Sequence, residues 1–176
     1  MTLSVLAKST EIGWSLLESY DIDPVPFFRE AGIDPKAMND MHSRISHAAS
    51  DKLWKSIANE VDDPCFTIRL GGLWHPSYMH VLGYAWLTSS TLRSALNRLA
   101  RYIRIINKIA QVTLNETDGQ LIVEWSNPVI PQNDYWRADA ALVVMVAMCR
   151  ANYGDGLDPE LVTLKHDKPA CAGKFF

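Results

Sequence analysis

The chain has 176 residues, a length that suits one domain with a core large enough to fold unaided. Hydrophobic residues make up 48% and charged residues 21%, which are ordinary globular values and exclude a wholly disordered chain. The net charge of −3 argues against nucleic-acid binding by these residues, since nucleic-acid-binding domains are usually basic.

The first 87 residues predict a run of helices. Apolar residues recur at spacings of three and four, and the breaks fall at prolines and glycines. Gly32 is expected to end the second helix, and Gly71 and Gly72 are expected to end the fourth. An extended piece over 41–45 is predicted among helices that cover 3–19, 25–31, 46–61, 64–70 and 77–87.

The strongest periodic signal covers 91–110. One face of this predicted helix is apolar and must be covered by the rest of the fold: Leu92, Ala95, Leu96, Leu99, Tyr102, Ile103, Ile106 and Ile109. A basic face, made by Arg93, Arg101, Arg104 and Lys108, falls within an arc of roughly 80°. We interpret the basic face either as solvated surface or as a contact for an anionic ligand or an acidic partner.

Beyond residue 110 the period changes from helical to alternating. Two runs of β-forming residues flank Asp118-Gly119 and predict a hairpin over 111–125. A nearly all-apolar helix is expected over 135–152, and a further strand over 160–166. We therefore predict a single α+β domain, in which five to seven helices pack on a small antiparallel sheet containing the hairpin and this strand.

The sequence shows no local signature of catalysis. It contains no nucleophile elbow, phosphate loop, dinucleotide-binding fingerprint or His-Glu-x-x-His motif. His42 and His47 are five residues apart, as are His75 and His80, a poor spacing for a metal site on one helix face. We predict no catalytic residue, no metal site and no cofactor, and a Ser–His–Asp group assembled only by the fold stays open.

Membrane and secretion signals are also missing from the sequence. No run of about 18 apolar residues is present, and the N-terminus does not resemble a signal peptide. Cys65, Cys149 and Cys171 are far apart and odd in number, which argues against a disulfide framework and fits a reducing compartment. These features predict a cytoplasmic protein with Cys149 as a small core residue.

Large rings crowd the centre of the chain. Most are expected in the core, but a cleft between helices and a sheet, lined by rings and a few polar groups, is also the usual form of a small-molecule pocket. Arg101 is the expected partner of an anionic ligand. The candidate ligand-binding residues are therefore Arg101, Tyr102, Tyr84, Trp125 and Trp86.

The same region carries a family likeness. It resembles the signature "LGYA…S-x-TL-x-x-AL-x-x-LARY" in the residues Leu82-Gly83-Tyr84-Ala85, Ser89-Ser90-Thr91-Leu92, Ala95-Leu96 and Leu99-Ala100-Arg101-Tyr102. Further agreement lies in Ile45-Ser46 with Leu53-Trp54, in Asp63-Pro64 with Ile68-Arg69-Leu70, and in Pro159, Val162, Leu164 and His166. The chain is thereby similar to the N-terminal, arabinose-binding-type domain of AraC-type bacterial transcription regulators, from about Gly13 to Phe176.

This resemblance implies a regulatory domain that senses a small-molecule effector, forms a homodimer and is not an enzyme. Family members often have Ser-Pro-Thr-Leu and an acidic residue in the next turn, whereas this chain has Ser-Ser-Thr-Leu and Arg93. Members also continue into a DNA-binding domain with two helix-turn-helix motifs. Because 1–176 stops abruptly at Phe175-Phe176, we expect a fragment whose DNA contacts belong to the missing part. The rivals are a small stand-alone enzyme using the same cleft and a pure dimerisation module.

Overall fold

The computed structural model describes residues 3–129, 134, 136–167 and 173. This part of the chain contains seven α-helices and four strands, and the strands form two small antiparallel sheets. The α+β class and the helix number are as predicted. The helices are α1 (Glu11–Glu18), α2 (Val25–Glu30), α3 (His47–Glu60), α4 (Phe66–Leu73), α5 (His80–Leu87), α6 (Leu92–Ile106) and α7 (Trp136–Tyr153). The strands are β1 (Ser4–Leu6), β2 (Arg44–Ser46), β3 (Gln111–Thr117) and β4 (Gln120–Ser126).

The predicted hairpin is confirmed as β3 and β4, which pair in register from Gln111 opposite Ser126 to Thr117 opposite Gln120. Asp118 and Gly119 join them with φ angles of 54° and 78°. Two successive positive φ angles match the right-handed twist of the strands and are easiest for an Asp-Gly pair. The turn therefore sets the register of the hairpin.

The N-terminal helix predicted from residue 3 was wrong in its first third. Residues 4–6 form β1, which pairs with β2 so that Val5 lies opposite Ile45, and a 3₁₀ turn (Ala7–Thr10) leads into α1. The extended piece predicted over 41–45 is confirmed only at Arg44 and Ile45, because β2 covers Arg44–Ser46. Val5 also forms an isolated bridge to Asn107, just after α6. Pairing with partners distant in sequence thus overrode the helical spacing of this segment.

The predicted strand over 160–166 was also wrong, because residues 160–167 join neither of the two sheets. Their exposure does alternate as in a strand, with Val162 and Leu164 turned partly inward. The Nε2 atom of His166 lies 2.9 Å from the Asp139 carboxylate, so the end of this segment contacts α7, while Glu160 at its start accepts a hydrogen bond from Gln120 of β4. Alternation alone predicted its faces but not its neighbour.

Gly71 and Gly72 do not end α4, which continues to Leu73. A Cβ atom on Gly71 would lie 2.9 Å from the Val143 side chain, so this glycine lets α4 and α7 approach closely. The pair of glycines was therefore misread as a terminator, because close helix packing and helix ends favour the same residue. Gly32, with a φ of 74°, does follow α2 as predicted.

Two hydrophobic clusters make up the core, and α7 contacts both through Val144. The N-terminal core is built on α1 to α4 and includes Leu16, Leu17, Phe28, Leu53, Ile57 and Leu70. The central core is built on α5, α6 and the hairpin and includes Trp86, Ala95, Leu99, Ile103, Val112 and Met148. A helix that packs on two sides needs apolar residues around most of its surface, which explains the composition of α7.

The cysteine interpretation needs one correction. Cys65 is disulfide-bonded. The prediction was wrong because separation along the chain does not limit which cysteines meet in a fold. Cys149 is free and buried as predicted, and burial raises the pKa of its thiol to about 11.

Some predictions fall outside the described residues: the chain end at Lys174, Phe175 and Phe176, and the helix start at Tyr135. None of the described helices has both the length and the apolar content that crossing a membrane requires.

Candidate functional site

A cavity of about 240 Å³ lies where the two cores meet. Residues of α1, α3, α4, α6, α7 and β4 line it, and it is partly open to solvent. For comparison, a dry apolar cavity of about 150 Å³ is enough to hold benzene, and pockets for small ligands begin near about 300 Å³. The cavity is therefore large enough for a compact organic molecule.

Most of the cavity wall is apolar. One side comes from α6 and the other from α7, which contribute Leu99, Ile103, Ile106, Ala140, Ala141, Val144, Met145 and Met148. The periodic face of α6 that the sequence predicted to be covered thus faces both the central core and this space. Two adjacent alanines on α7 leave room that larger side chains would fill. An apolar wall of this kind favours an apolar ligand body.

Four rings complete the wall: Trp54, Trp74, Tyr78 and Trp125. The Tyr78 hydroxyl lies 3.1 Å from the Ser15 hydroxyl, so that phenol has a partner. The indole nitrogen of Trp74 is buried and finds no hydrogen-bond acceptor in the described part of the chain. A buried donor without an acceptor is unfavourable by about 1–3 kcal/mol. Because solvent does not reach this nitrogen, its N–H lies within the protein and does not face the open space of the cavity.

Among the described residues of the wall, Arg137 at the start of α7 is the one with a permanent charge. Its Nη2 atom lies 2.7 Å from the Asp51 carboxylate of α3, and its Nε atom lies 3.4 Å from Oδ2 of Asp134 without hydrogen-bond geometry. Its guanidinium also lies over the ring of Trp136, 4.4 Å from the centroid. Burial lowers the pKa of Arg137, and the two carboxylates oppose that shift. Its charge is thus balanced by protein groups.

His47, the first residue of α3, adds a titratable ring to the wall. Burial lowers the pKa of His47 below its ordinary value of 6.5, Arg137 adds to that shift, and Asp51 opposes it. The neutral imidazole is therefore the main form at neutral pH. In that form the ring can both donate and accept a hydrogen bond.

We expect His47 to make the fold less stable in acid. Because its folded-state pKa is depressed, the unfolded chain binds the proton more readily as the pH falls through 6.5. The stability contribution is therefore complete above that pH and is lost below it. Urea unfolding of the wild type and of His47→Gln, compared between pH about 7.5 and about 5.5, should show the smaller loss in the variant. Equal losses would contradict this assignment.

The structure does not bring the five candidate residues of the sequence together. Trp125 lines the cavity. Trp86 is 1% exposed in the central core, and its indole N–H donates to the Met148 carbonyl at 2.9 Å. Tyr84 and Tyr102 are about half exposed on the outside, and the exposed Arg101 guanidinium lies 5.3 Å from the centroid of the Tyr102 ring. Apart from Trp125, these residues lie outside the cavity wall.

The basic face of α6 is largely solvated. Arg93 makes a bidentate pair with Glu116 of β3 at 2.7 and 3.1 Å, and Arg104 donates to the Lys108 carbonyl. The Glu116 carboxylate raises the pKa of Arg93, and Arg93 lowers the pKa of Glu116. In this structure the basic face therefore fixes α6 to the hairpin through Arg93.

The other polar groups at the site had little signal in the sequence. Arg137 follows a proline-rich loop and carried no periodic signal, and His47 was considered only as one of a poorly spaced metal pair. Trp74 is one of several large rings near the centre of the chain, and its unpaired N–H is a property of the fold that the sequence does not show. No group of three or more His, Cys, Asp or Glu side chains in the described ranges is arranged to hold a metal ion.

Comparison with known families places this geometry in context. Residues 22–175 match the family described as the arabinose-binding domain of AraC transcription regulator, N-term. The match covers most of the chain and includes most of the cavity wall. No curated protein shows a significant match to the chain.

Proposed function

The chain belongs to the family of N-terminal arabinose-binding domains of AraC transcription regulators, and we propose that it senses a small-molecule effector in the cavity between its two cores. The observation that carries this proposal is the position of the cavity. A ligand there would contact α3 and α4 on one side and α6 on the other, with α7 shared between them. Such a ligand favours whichever packing of the two cores it fits best.

The output of this sensing would be control of DNA binding by a C-terminal helix-turn-helix domain outside these residues. The effector would change how the two cores pack, and that change would alter a homodimer contact or the position of the DNA-binding domain. The transmitted free energy cannot exceed the difference in effector affinity between the two packings. A stand-alone enzyme in the same cavity is the less favoured alternative, and turnover of a bound compound would identify it.

Filling the cavity should abolish ligand binding while leaving the fold intact. In Ala141→Leu, the larger side chain would occupy the space that α7 leaves open. A cavity ligand at about a hundred times its Kd should raise the Tm of the wild type by about 5 °C or more and leave the Tm of this variant unchanged. Thermal-shift screening of a small-molecule library measures both.

Ala138→Leu is the matched control, because Ala138 is exposed on the same helix. It should respond to every hit as the wild type does. If no compound separates Ala141→Leu from the wild type and from Ala138→Leu, the cavity is not an effector site and the proposal fails.

A further inference from the structure

We propose that residues 157–167 form a strap, held on α7 by the hydrogen bond between His166 and Asp139 (the latch), and that an occupant of the cavity releases this strap. The inference rests on the proposed function, because it concerns how occupancy of the same cavity reaches the chain beyond the strap. It goes further by naming the element that moves and the contact that holds it.

The strap runs back along one face of α7. Near the end of that helix, Arg150 donates through Nε to the Leu157 carbonyl at 3.1 Å and forms an ion pair with Asp158. At the other end of the strap, the Nε2 atom of His166 lies 2.9 Å from the Asp139 carboxylate. Arg150 and Asp139 are about three helical turns apart and therefore lie on the same face of α7.

The cavity lies on the opposite face of the same helix. The cavity-lining residues of α7 include Ala141, Val144 and Met148. At about 100° per residue, the centre of this lining group lies roughly 170° around the helix from Asp139. The helix α7 is therefore placed between the cavity and the strap, so an occupant that displaces the helix also displaces one partner of the latch.

Polar contacts hold most of the strap. Glu160 accepts a hydrogen bond from Gln120 of β4 at 2.8 Å, and Leu161 is 79% exposed. Among the strap residues, all of which the structure describes, only Leu157 packs against a hydrophobic core cluster. Segments with few buried apolar contacts open locally while the core stays folded. Any domain that follows these residues in the chain is joined to the two cores through the strap, so release changes where that domain can lie.

The latch is the contact most sensitive to a shift of α7. The Asp139 side chain is 4% exposed and that of His166 is 14% exposed. Among the described residues, His166 is the hydrogen-bond partner of the Asp139 carboxylate, and a buried carboxylate requires such a partner. A distance of 2.9 Å is close to the optimum for a hydrogen bond between nitrogen and oxygen. Displacement of α7 in any direction therefore weakens the latch.

Limited digestion with trypsin measures release of the strap, because Lys165 lies within it and mass spectrometry identifies the 1–165 product. At low protease concentration, the cleavage rate follows the population of the detached form. Asp139→Ala should raise the rate of cleavage after Lys165 about tenfold, as the loss of one hydrogen bond to a charged group predicts. Asp139→Asn keeps an acceptor and should give a smaller increase. Asp155→Ala removes an exposed carboxylate outside the strap and should match the wild type.

Graded filling of the cavity tests the coupling without a ligand. Ala141→Leu and Ala141→Phe place increasing bulk in the cavity from α7, and the phenyl ring has the size of a benzene ligand. Cleavage after Lys165 should rise in that order, by about threefold or more for phenylalanine, because part of one hydrogen bond is lost. Ala138→Leu, exposed on the same helix, should match the wild type. If Ala141→Phe does not fold, the comparison of Ala141→Leu with Ala138→Leu decides.

Cleavage at lysines and arginines within α3 and α6 separates release of the strap from general unfolding, and reducing buffer keeps the disulfide of Cys65 from restraining the chain. An unchanged rate after Lys165 in Asp139→Ala, or an equal rise at the helix sites, would overturn the latch. If Asp139→Ala releases the strap but the folded Ala141 variants cleave at the wild-type rate or more slowly, the strap does not respond to the cavity and the inference fails.

Neither of these failures touches the proposed function, because the thermal-shift comparison tests ligand binding separately. If no compound in that screen separates Ala141→Leu from the wild type, the proposed function fails even when the latch variants behave as expected. The two claims therefore fail in different experiments.

Discussion

We expect Gly83→Ala to lower the free energy of unfolding by about 3 kcal/mol, the upper end for overpacked sites. Gly83 is buried within α5, which packs on the 3₁₀ turn Pro76–Met79. A Cβ atom at Gly83 would lie 2.0 Å from the Pro76 carbonyl oxygen and 2.7 Å from its carbonyl carbon. These are backbone atoms, so no side-chain rotation can relieve the overlap, and the turn or the helix must move. Urea or thermal unfolding of the variant measures the loss.

Gly72→Ala is the matched control for this prediction. Gly72 is also inside a helix, but in the described part of the chain no atom beyond its chain neighbours and the backbone of its own helix lies within 4 Å of the position of its Cβ. Alanine there should be neutral or stabilise the fold by up to about 0.5 kcal/mol, because alanine favours helix. The 3₁₀ turn carries Tyr78 and Met79 of the cavity wall, so Gly83→Ala should also weaken ligand binding. If Gly83→Ala and Gly72→Ala have similar free energies of unfolding, the prediction is wrong, and the 3₁₀ turn can move away from a Cβ atom at little cost.

The sequence predicted those parts of the fold that depend on local chemistry. The face of α6, the Asp118-Gly119 turn and the end of α2 before Gly32 all follow from spacing or backbone preference within a few residues. The errors occurred where a distant partner decides the outcome. Residues 4–6 became β1 because β2 was available, and 160–167 joined neither sheet, with His166 contacting Asp139 of α7 instead. No local pattern contains that information.

The candidate site was less predictable than the fold, for a related reason. The sequence indicated a ring-lined cleft between the helices and the hairpin, and a cavity of that description is present. Ring content could not distinguish Trp86, which lies in the central core, from Trp74, which lines the cavity. Likewise, Arg101 was a candidate because of its regular spacing, and regular spacing identifies the surface of a helix, not the wall of a cavity. Arg137 is positioned by contacts with α3 that are 86 residues away in sequence.

Replacing Arg137 with methionine should destabilise the fold by about 2 kcal/mol at neutral pH. Methionine keeps most of the apolar stem and removes the charge, so Asp134 loses its cation and Asp51 keeps only the more exposed Lys55. The Arg137 side chain is 11% exposed, and the two carboxylates are 25% and 19% exposed. Breaking a fully buried pair destabilises by about 3–5 kcal/mol, and partial solvent access reduces that figure. Chemical denaturation in low-salt buffer measures the difference.

Lys55→Met removes a second cation from the same carboxylate and serves as the control. Lys55 lies 3.0 Å from Asp51, one helical turn away on α3, but its side chain is 48% exposed. Water already screens that pair, so we expect a loss of at most about 0.5 kcal/mol. The double variant Asp51→Asn/Arg137→Met should be more stable than the sum of the single losses predicts, because it leaves fewer buried charges without a partner. Additive losses in this cycle would mean that Arg137 stabilises the junction of the two cores by packing, and that its pairing with Asp51 contributes little.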